Sequence, residues 1–242
     1  MPCDASLSSS IHHRVRAVSS YLIKQDAGRD VRGVLGIFAG GVNSSKRAFL
    51  DFNGAKPSFL VEEVCARSTT ATICEVGFGA GLSTLLFLEA APKATVWSFD
   101  LGDLPWSRAA NARLAELYPY ERFPGVVFGD AALMLRQVLG KRRCDVAIVG
   151  GSKPYLGRLA SLRSLRAVSA ADATVFLDKV STEACVNGSF GLEIERRCAG
   201  LNSRNWPTVR AYNTAVWEGW LSIERCAWSK SPNDGVCRAR FL

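Results

Sequence analysis

The residues best suited to chemistry lie in one short segment, 74–84, which reads CEVGFGAGLST. Glu75 ends a short apolar run, and Gly77, Gly79 and Gly81 then occupy alternate positions before a helical pattern begins. Glycine is favoured where the backbone turns sharply or approaches a ligand closely, because it has no Cβ. A helix that begins after such a turn presents free N–H groups to a ligand. The segment therefore predicts a cradle for a small molecule.

The spacing of the glycines argues against a nicotinamide dinucleotide as the ligand. Nicotinamide dinucleotides are bound by G-x-G-x-x-G, but Leu82 stands where the third glycine of that pattern would be, and Gly81 comes one residue earlier. Asp100 and Asp130 each follow an apolar, strand-like run. A carboxylate after the second strand can accept hydrogen bonds from both ribose hydroxyls. Asp130 could cap the helix that follows it.

Regular strand and helix patterns must position these residues. The predicted strands are 72–76, 94–99, 125–128, 144–149 and 173–178, and the predicted helices between them are 82–91, 107–118, 131–139 and 156–168. Strands that are apolar throughout and alternate with helices indicate a parallel sheet covered on both faces. A helix near 207–218 and two strand-like runs, 219–228 and 235–241, predict an antiparallel ending. Pro57 predicts the first turn of a further helix.

From about residue 53 to 228 the chain resembles the class I S-adenosylmethionine (SAM)-dependent methyltransferases, in their small-molecule O-methyltransferase-like branch. The landmarks are EVGFGAGLSTLLFL, VWSFDLGD, VVFGDA and CDVAIVGGSKPY. The resemblance implies an α/β fold, a Rossmann-like, doubly wound, seven-stranded sheet with an antiparallel last strand. We expect residues 1–55 to form an N-terminal extension and helical cap, and residues 56–242 to form the methyltransferase-like domain.

The resemblance also implies SAM as the cofactor. It would be bound by residues at the ends of the first four strands, namely Glu75, Gly77, Phe78, Gly79, Gly81, Ser83, Asp100, Leu101, Asp130, Ala131 and Gly150.

The chain departs from this family where relatives hold a divalent cation. The fourth strand of relatives typically ends in a D-G-G-H-x-Y-like segment, and here that segment is GGSKPY, 150–155; the pair after the fifth strand is Asp178-Lys179. One carboxylate beside a lysine is a poor site for a hard cation, so no metal is expected. The candidate catalytic residues are Lys153 and Asp178. Lys153 and Lys179 could supply positive charge in place of the metal, or one could act as a base.

Composition limits the remaining possibilities. The formal charge is +8, but the basic residues are scattered, and the tightest group is 141–143, so a nucleic-acid groove is not favoured. No apolar run is long enough to span a membrane. The eight cysteines form no CxxC pair, and Cys74 and Cys144 fall in or beside predicted buried strands. Free thiols and a cytoplasmic location are expected, with organelle targeting by the serine-rich N-terminus as the alternative.

We therefore expect a SAM-dependent methyltransferase that acts on a small-molecule acceptor, at oxygen and without a metal ion. Three alternatives stay open at this point: a non-catalytic SAM-binding protein, a nucleic-acid or protein methyltransferase, and, against the glycine spacing, a nicotinamide-dependent oxidoreductase.

Overall fold

A computed structural model describes residues 10, 11, 13, 55–65, 71–104, 107–151, 154–180, 206–228 and 235–242. In chain order the elements are α1 (Ala55–Cys65), β1 (Thr72–Val76), α2 (Leu82–Ala90), β2 (Thr95–Asp100), α3 (Ser107–Leu117), β3 (Val126–Phe128), α4 (Ala131–Leu139), β4 (Cys144–Val149), α5 (Tyr155–Val168), β5 (Ser169–Val180), α6 (Trp206–Trp217), β6 (Leu221–Trp228) and β7 (Gly235–Phe241).

The described strands form one seven-stranded sheet in the order β3-β2-β1-β4-β5-β7-β6. Strands β1 to β5 pair in parallel, and β7 is antiparallel to both of its neighbours. The strand order reverses between β1 and β4, which is where open α/β sheets bind ligands at the carboxyl ends of their strands. The predicted doubly wound sheet with an antiparallel strand is confirmed.

Helices cover both faces of the sheet. One buried cluster joins the sheet to α1, α2 and α3 through side chains such as Phe59, Leu86 and Leu114. A second cluster on the other face contains Leu135, Leu162 and other side chains of α4, α5 and α6. Central strands covered on both sides must be apolar throughout, which explains the continuous hydrophobic runs in the sequence.

The predicted elements agree closely with the observed ones, and the main difference is β5, which spans Ser169–Val180 rather than 173–178. The helix predicted at Pro57 is α1. The proposed N-terminal cap, residues 1–55, lies almost entirely outside the described residues. No helix in the described part of the chain is long and apolar enough to span a bilayer.

The prediction of free thiols is wrong for the cysteines that the structure describes. Cys74 on β1 is bonded to Cys144 on β4, and both side chains are fully buried. Cys226 and Cys237 face each other across the β6–β7 pair and form a second disulfide. Cys65 is also disulfide-bonded. Burial in strands predicts unpaired thiols, but the pairing of β1 with β4 brings two buried sulfurs together.

Candidate functional site

The glycine loop connects β1 to α2 at the point where the strand order reverses. Gly77 has φ +99°, and a Cβ there would lie 2.1 Å from the backbone nitrogen of Gly151, so the loop contacts the segment after β4 directly. Gly81 precedes α2 with φ +77°, and a Cβ would lie 2.7 Å from the ring of Phe78. Gly79 also has a positive φ, +58°, but nothing lies within 4 Å of its Cβ position. The backbone is thus packed tightly against neighbouring atoms at Gly77 and Gly81, and space remains beside Gly79.

Glu75 is buried beneath this loop and holds it to the sheet. Its carboxylate accepts hydrogen bonds from the hydroxyls of Ser83, Thr84 and Ser98, the last at 2.8 Å. Burial raises the pKa of Glu75 to about 7, although the three hydroxyls oppose that shift. Glu75 and Ser83, both predicted to bind the cofactor, therefore contact each other and fix the start of α2.

Asp100 stands at the end of β2 and faces the open centre of the loop. Its Oδ2 accepts a hydrogen bond from the Gly79 N–H at 3.0 Å, and its Oδ1 accepts one from the Gly102 N–H at 2.7 Å. Each carboxylate oxygen can accept further hydrogen bonds. The next side chain, Leu101, is 57% exposed. A carboxylate and an exposed apolar surface thus adjoin the opening.

The remaining predicted cofactor residues divide between backbone and capping roles. Asp130 is the N-cap of α4, and its Oδ1 accepts a hydrogen bond from the Ala132 N–H at 2.8 Å. Ala131 is buried. The Phe78 side chain is buried and stacks on Phe123 with ring centroids 6.3 Å apart. Phe78 can therefore meet a ligand only through its backbone.

The ends of β4 and β5 form a second, charged region beside the loop. The Gly150 and Gly151 N–H groups both donate to the Val76 carbonyl, at 2.7 and 2.8 Å, which holds this segment against β1. A Cβ at Gly150 would lie 3.7 Å from the Asp178 carboxylate. Asp178 forms an ion pair with Lys56. Lys153, the other candidate catalytic residue, lies outside the described residues.

The environment of Asp178 keeps its carboxyl ionised. Burial acts to raise its pKa, but Lys56 and Lys179 outweigh burial, and Arg158 adds to their effect, so the net shift is downward. Lys179 has φ +64°, at a point where the β5–β7 register shifts. Such a conformation is strained for a side chain with a Cβ.

Two buried polar side chains, Arg158 and Tyr212, donate hydrogen bonds to backbone carbonyls at the ends of β4 and β5. Arg158 is fully buried and donates to the carbonyls of Val149, at 2.6 Å, and Gly151, at 3.3 Å. The Tyr212 hydroxyl donates to the carbonyl of Asp178 at 2.7 Å. The Tyr212 side chain is thus part of the core.

Sequence reasoning missed Lys56 and Arg158. Lys56 precedes a proline at the start of a helix that comes before the glycine loop, and its partner Asp178 lies far along the chain. Arg158 lies on a helix with a mixed polar and apolar pattern, where an arginine usually faces solvent. The sequence contains one signal for Lys56: it immediately precedes Pro57, which marks the first turn of the predicted helix.

The side chains at the ends of β4 and β5 do not fit the divalent cation that metal-dependent relatives hold at these positions. The described residues contain no group of three His, Cys, Asp or Glu side chains that could hold a metal ion. The Asp178 carboxylate is already neutralised by the Lys56 ammonium. A hard cation prefers six or more oxygen ligands, and here it would have to displace a lysine to reach one carboxylate.

The residues around the glycine loop, by contrast, fit SAM as its ligand. Space for a ligand lies beside Gly79, where a Cβ would contact nothing within 4 Å. Asp100 offers acceptors for ribose hydroxyls at that opening, Leu101 offers an apolar surface for a base, and the N-terminus of α2 lies behind the loop.

Comparison with known proteins identifies the fold. No protein-family model matches the chain, and no curated protein sequence matches it. Solved structures do match. An O-methyltransferase from Bacillus cereus in complex with SAH superposes with a TM-score of 0.62 at 15% identity, over 93% of this chain and 91% of that one. The Streptomyces achromogenes O-methyltransferase TomG, involved in tomaymycin synthesis and in complex with SAM, gives 0.58 at 16% identity, over 93% and 89%.

A third similar structure is an SAH-bound methyltransferase from Podospora anserina, with a TM-score of 0.56 at 11% identity, over 100% of this chain and 98% of that one. The chain therefore has the class I methyltransferase fold.

Proposed function

We propose that this chain, which has the class I methyltransferase fold, is a SAM-dependent methyltransferase that acts on a small-molecule acceptor at oxygen. The observation that carries the proposal is the loop at Gly77–Gly81, closed against its neighbours at both ends and open at Gly79, with the Asp100 carboxylate at its edge. Similar structures in complex with SAM or SAH support the same cofactor.

The residues of the chain divide the work between holding and orienting. The N-terminus of α2, Gly79 and Asp100 would bind the nucleoside and amino acid portions of SAM, and Leu101 would pack against its base. SAM, when bound, supplies an activated methyl group on a sulfonium. The protein then needs to align an acceptor oxygen with that methyl and to favour loss of the acceptor proton. The charged region at Asp178 is the proposed acceptor end.

Calorimetry with SAM, and separately with NAD, tests the proposal. We expect SAM to bind and NAD not to bind. Asp100→Ala removes two charge-assisted hydrogen bonds that shape the loop and should weaken SAM binding by about 10- to 150-fold. Asp103→Ala removes the same charge from an exposed position three residues away and should leave affinity unchanged. Binding of NAD without SAM would contradict the cofactor assignment.

A second candidate is a SAM-binding protein without transferase activity. It is favoured by Gly150 and by the Lys56–Asp178 pair, which together leave one neutralised carboxylate at the ends of β4 and β5. Transfer of a labelled methyl group to a panel of phenolic and carboxylate acceptors separates the two, because this candidate predicts SAM binding with no product. Salt-dependent RNA binding with methylation of the RNA would instead indicate a nucleic-acid substrate.

The expectation of a cytoplasmic location rested on free thiols, and the disulfides at Cys74–Cys144 and Cys226–Cys237 remove that basis, since such bonds persist mainly in oxidising compartments.

A further inference from the structure

Gly79, at the most open point of the glycine loop, is held through both of its backbone polar groups. Its N–H donates to the Asp100 carboxylate at 3.0 Å, and its carbonyl accepts a hydrogen bond from the Ser107 hydroxyl at 2.7 Å. The Ser107 side chain is fully buried, so a ligand on the open side of Gly79 would not touch it. The Ser107 hydroxyl therefore acts on the loop alone.

Ser107 is the first residue of α3, and this helix is fixed both to the loop and to the sheet. A Cβ at Gly81 would lie 2.9 Å from the Leu114 side chain, so α3 packs directly against the end of the glycine loop. Asn111 lies between Ser107 and Leu114 in α3, and its side-chain oxygen accepts a hydrogen bond from the Val126 N–H of β3 at 2.7 Å. The Ser107 hydroxyl is thus presented to the loop by an anchored helix.

The contact also sets the direction of a backbone donor. A trans peptide unit is planar, so its C=O and N–H groups point in opposite directions. Because the Gly79 carbonyl is directed at Ser107, the N–H of Ala80 points away from that side chain. Within the described ranges, the Ala80 N–H has no hydrogen-bond acceptor in the protein. A backbone N–H in this state favours a ligand that offers an acceptor atom.

We propose that Ser107 is a positioning residue for the cofactor, because its hydroxyl holds the Gly79–Ala80 peptide so that the Ala80 N–H is presented to SAM. This inference rests on the proposed function. Glycine can adopt many backbone conformations, so the peptide needs a constraint from outside the loop. Without the hydroxyl, cofactor binding would have to order this peptide, and affinity would fall.

Calorimetry with SAM and with SAH tests the proposal on the whole chain. Ser107→Ala removes the hydrogen bond and should weaken binding of both molecules by about 3- to 10-fold, because the portions proposed to bind at the loop are common to SAM and SAH. The matched control is Ser161→Ala on α5. It removes another buried serine hydroxyl that donates to a backbone carbonyl, that of Gly157 at 2.9 Å, and should leave both affinities unchanged.

A second pair of variants separates the hydrogen bond from packing. Ser107→Thr and Ser107→Val give side chains of the same shape, but only threonine keeps the hydroxyl. The threonine variant should bind SAM about 3- to 10-fold more tightly than the valine variant, whatever the larger side chain costs both. Amide hydrogen exchange of the ligand-free proteins gives an independent reading, because the Gly79 N–H should exchange faster in Ser107→Ala than in the wild type by a similar factor.

Wild-type affinity for SAM and SAH in a folded Ser107→Ala variant, or equal SAM affinities of the threonine and valine variants, would overturn the role of Ser107 while leaving the proposed function intact. An equal loss of affinity in Ser161→Ala would also overturn it, since the effect would then be a general one. If the wild type binds neither SAM nor SAH, the proposed function fails and this inference fails with it.

Discussion

Alanine substitutions at Gly77 and at Gly79 test the geometry of the glycine loop, because each should impair the protein for a different physical reason. Both residues have positive φ, which costs about 1–2 kcal/mol for an alanine. At Gly77 the new methyl would also overlap the Gly151 backbone at 2.1 Å, whereas at Gly79 it would meet nothing within 4 Å. Relief of such an overlap costs a further 1–3 kcal/mol, roughly.

Gly77→Ala should therefore lower the free energy of unfolding by about 2–5 kcal/mol, and Gly79→Ala by about 1–2 kcal/mol. Urea unfolding followed by tryptophan fluorescence measures both. Binding should rank the variants differently. The methyl of Gly79→Ala would enter the space proposed for the cofactor and should weaken SAM binding at least tenfold in a protein that is still folded, as calorimetry would show. Equal destabilisation of the two variants would refute the geometric reasoning, and normal SAM binding by Gly79→Ala would refute the placement of the cofactor.

Two further predictions concern stability. Glu75 has its pKa raised from 4.5 to about 7 on folding, so the folded state holds its proton more tightly than the unfolded state and stability falls as pH rises between those values. From about pH 5 to about pH 8 the wild type should lose roughly 2–3 kcal/mol that Glu75→Gln does not lose, as urea titrations at both pH values would reveal; parallel pH profiles would contradict the assignment. Separations of 70 and 11 residues predict that removing Cys74–Cys144 by paired alanine substitutions costs about 4.4 kcal/mol, against about 2.8 for Cys226–Cys237. Chemical denaturation of the two double variants checks that order, and the reverse order would count against it.

The fold was predictable from the sequence because its signals are local. Strands β1 and β4 are short apolar runs with clear ends, and the glycine loop between β1 and α2 carries its geometry in adjacent residues. Asp100 was predictable for the same reason, because the end of a strand fixes its position at the edge of the sheet. Each of these features depends on residues close together in the chain.

The charged region at the ends of β4 and β5 was much less predictable, because its contacts join distant parts of the chain. Lys56 and Asp178 are separated by the glycine loop and four strands, and no spacing rule connects them. The disulfide between Cys74 and Cys144 depends on which strands are neighbours, so burial alone suggested unpaired thiols. Sequence periodicity reports which face a residue occupies, but not which residue stands opposite to it.

The position of β7 has a consequence for how the chain is made. Because β7 lies between β5 and β6, strand β6 has no partner in the described sheet until residues 235–241 have been synthesised, and β5 presents an open edge until then. Unpaired edges of this kind invite pairing with other chains, and such long-range strand pairing is slow. Asp178 and Lys179 lie on that edge, so the charged region at the ends of β4 and β5 would be completed only after β7 is synthesised, well after the glycine loop has emerged.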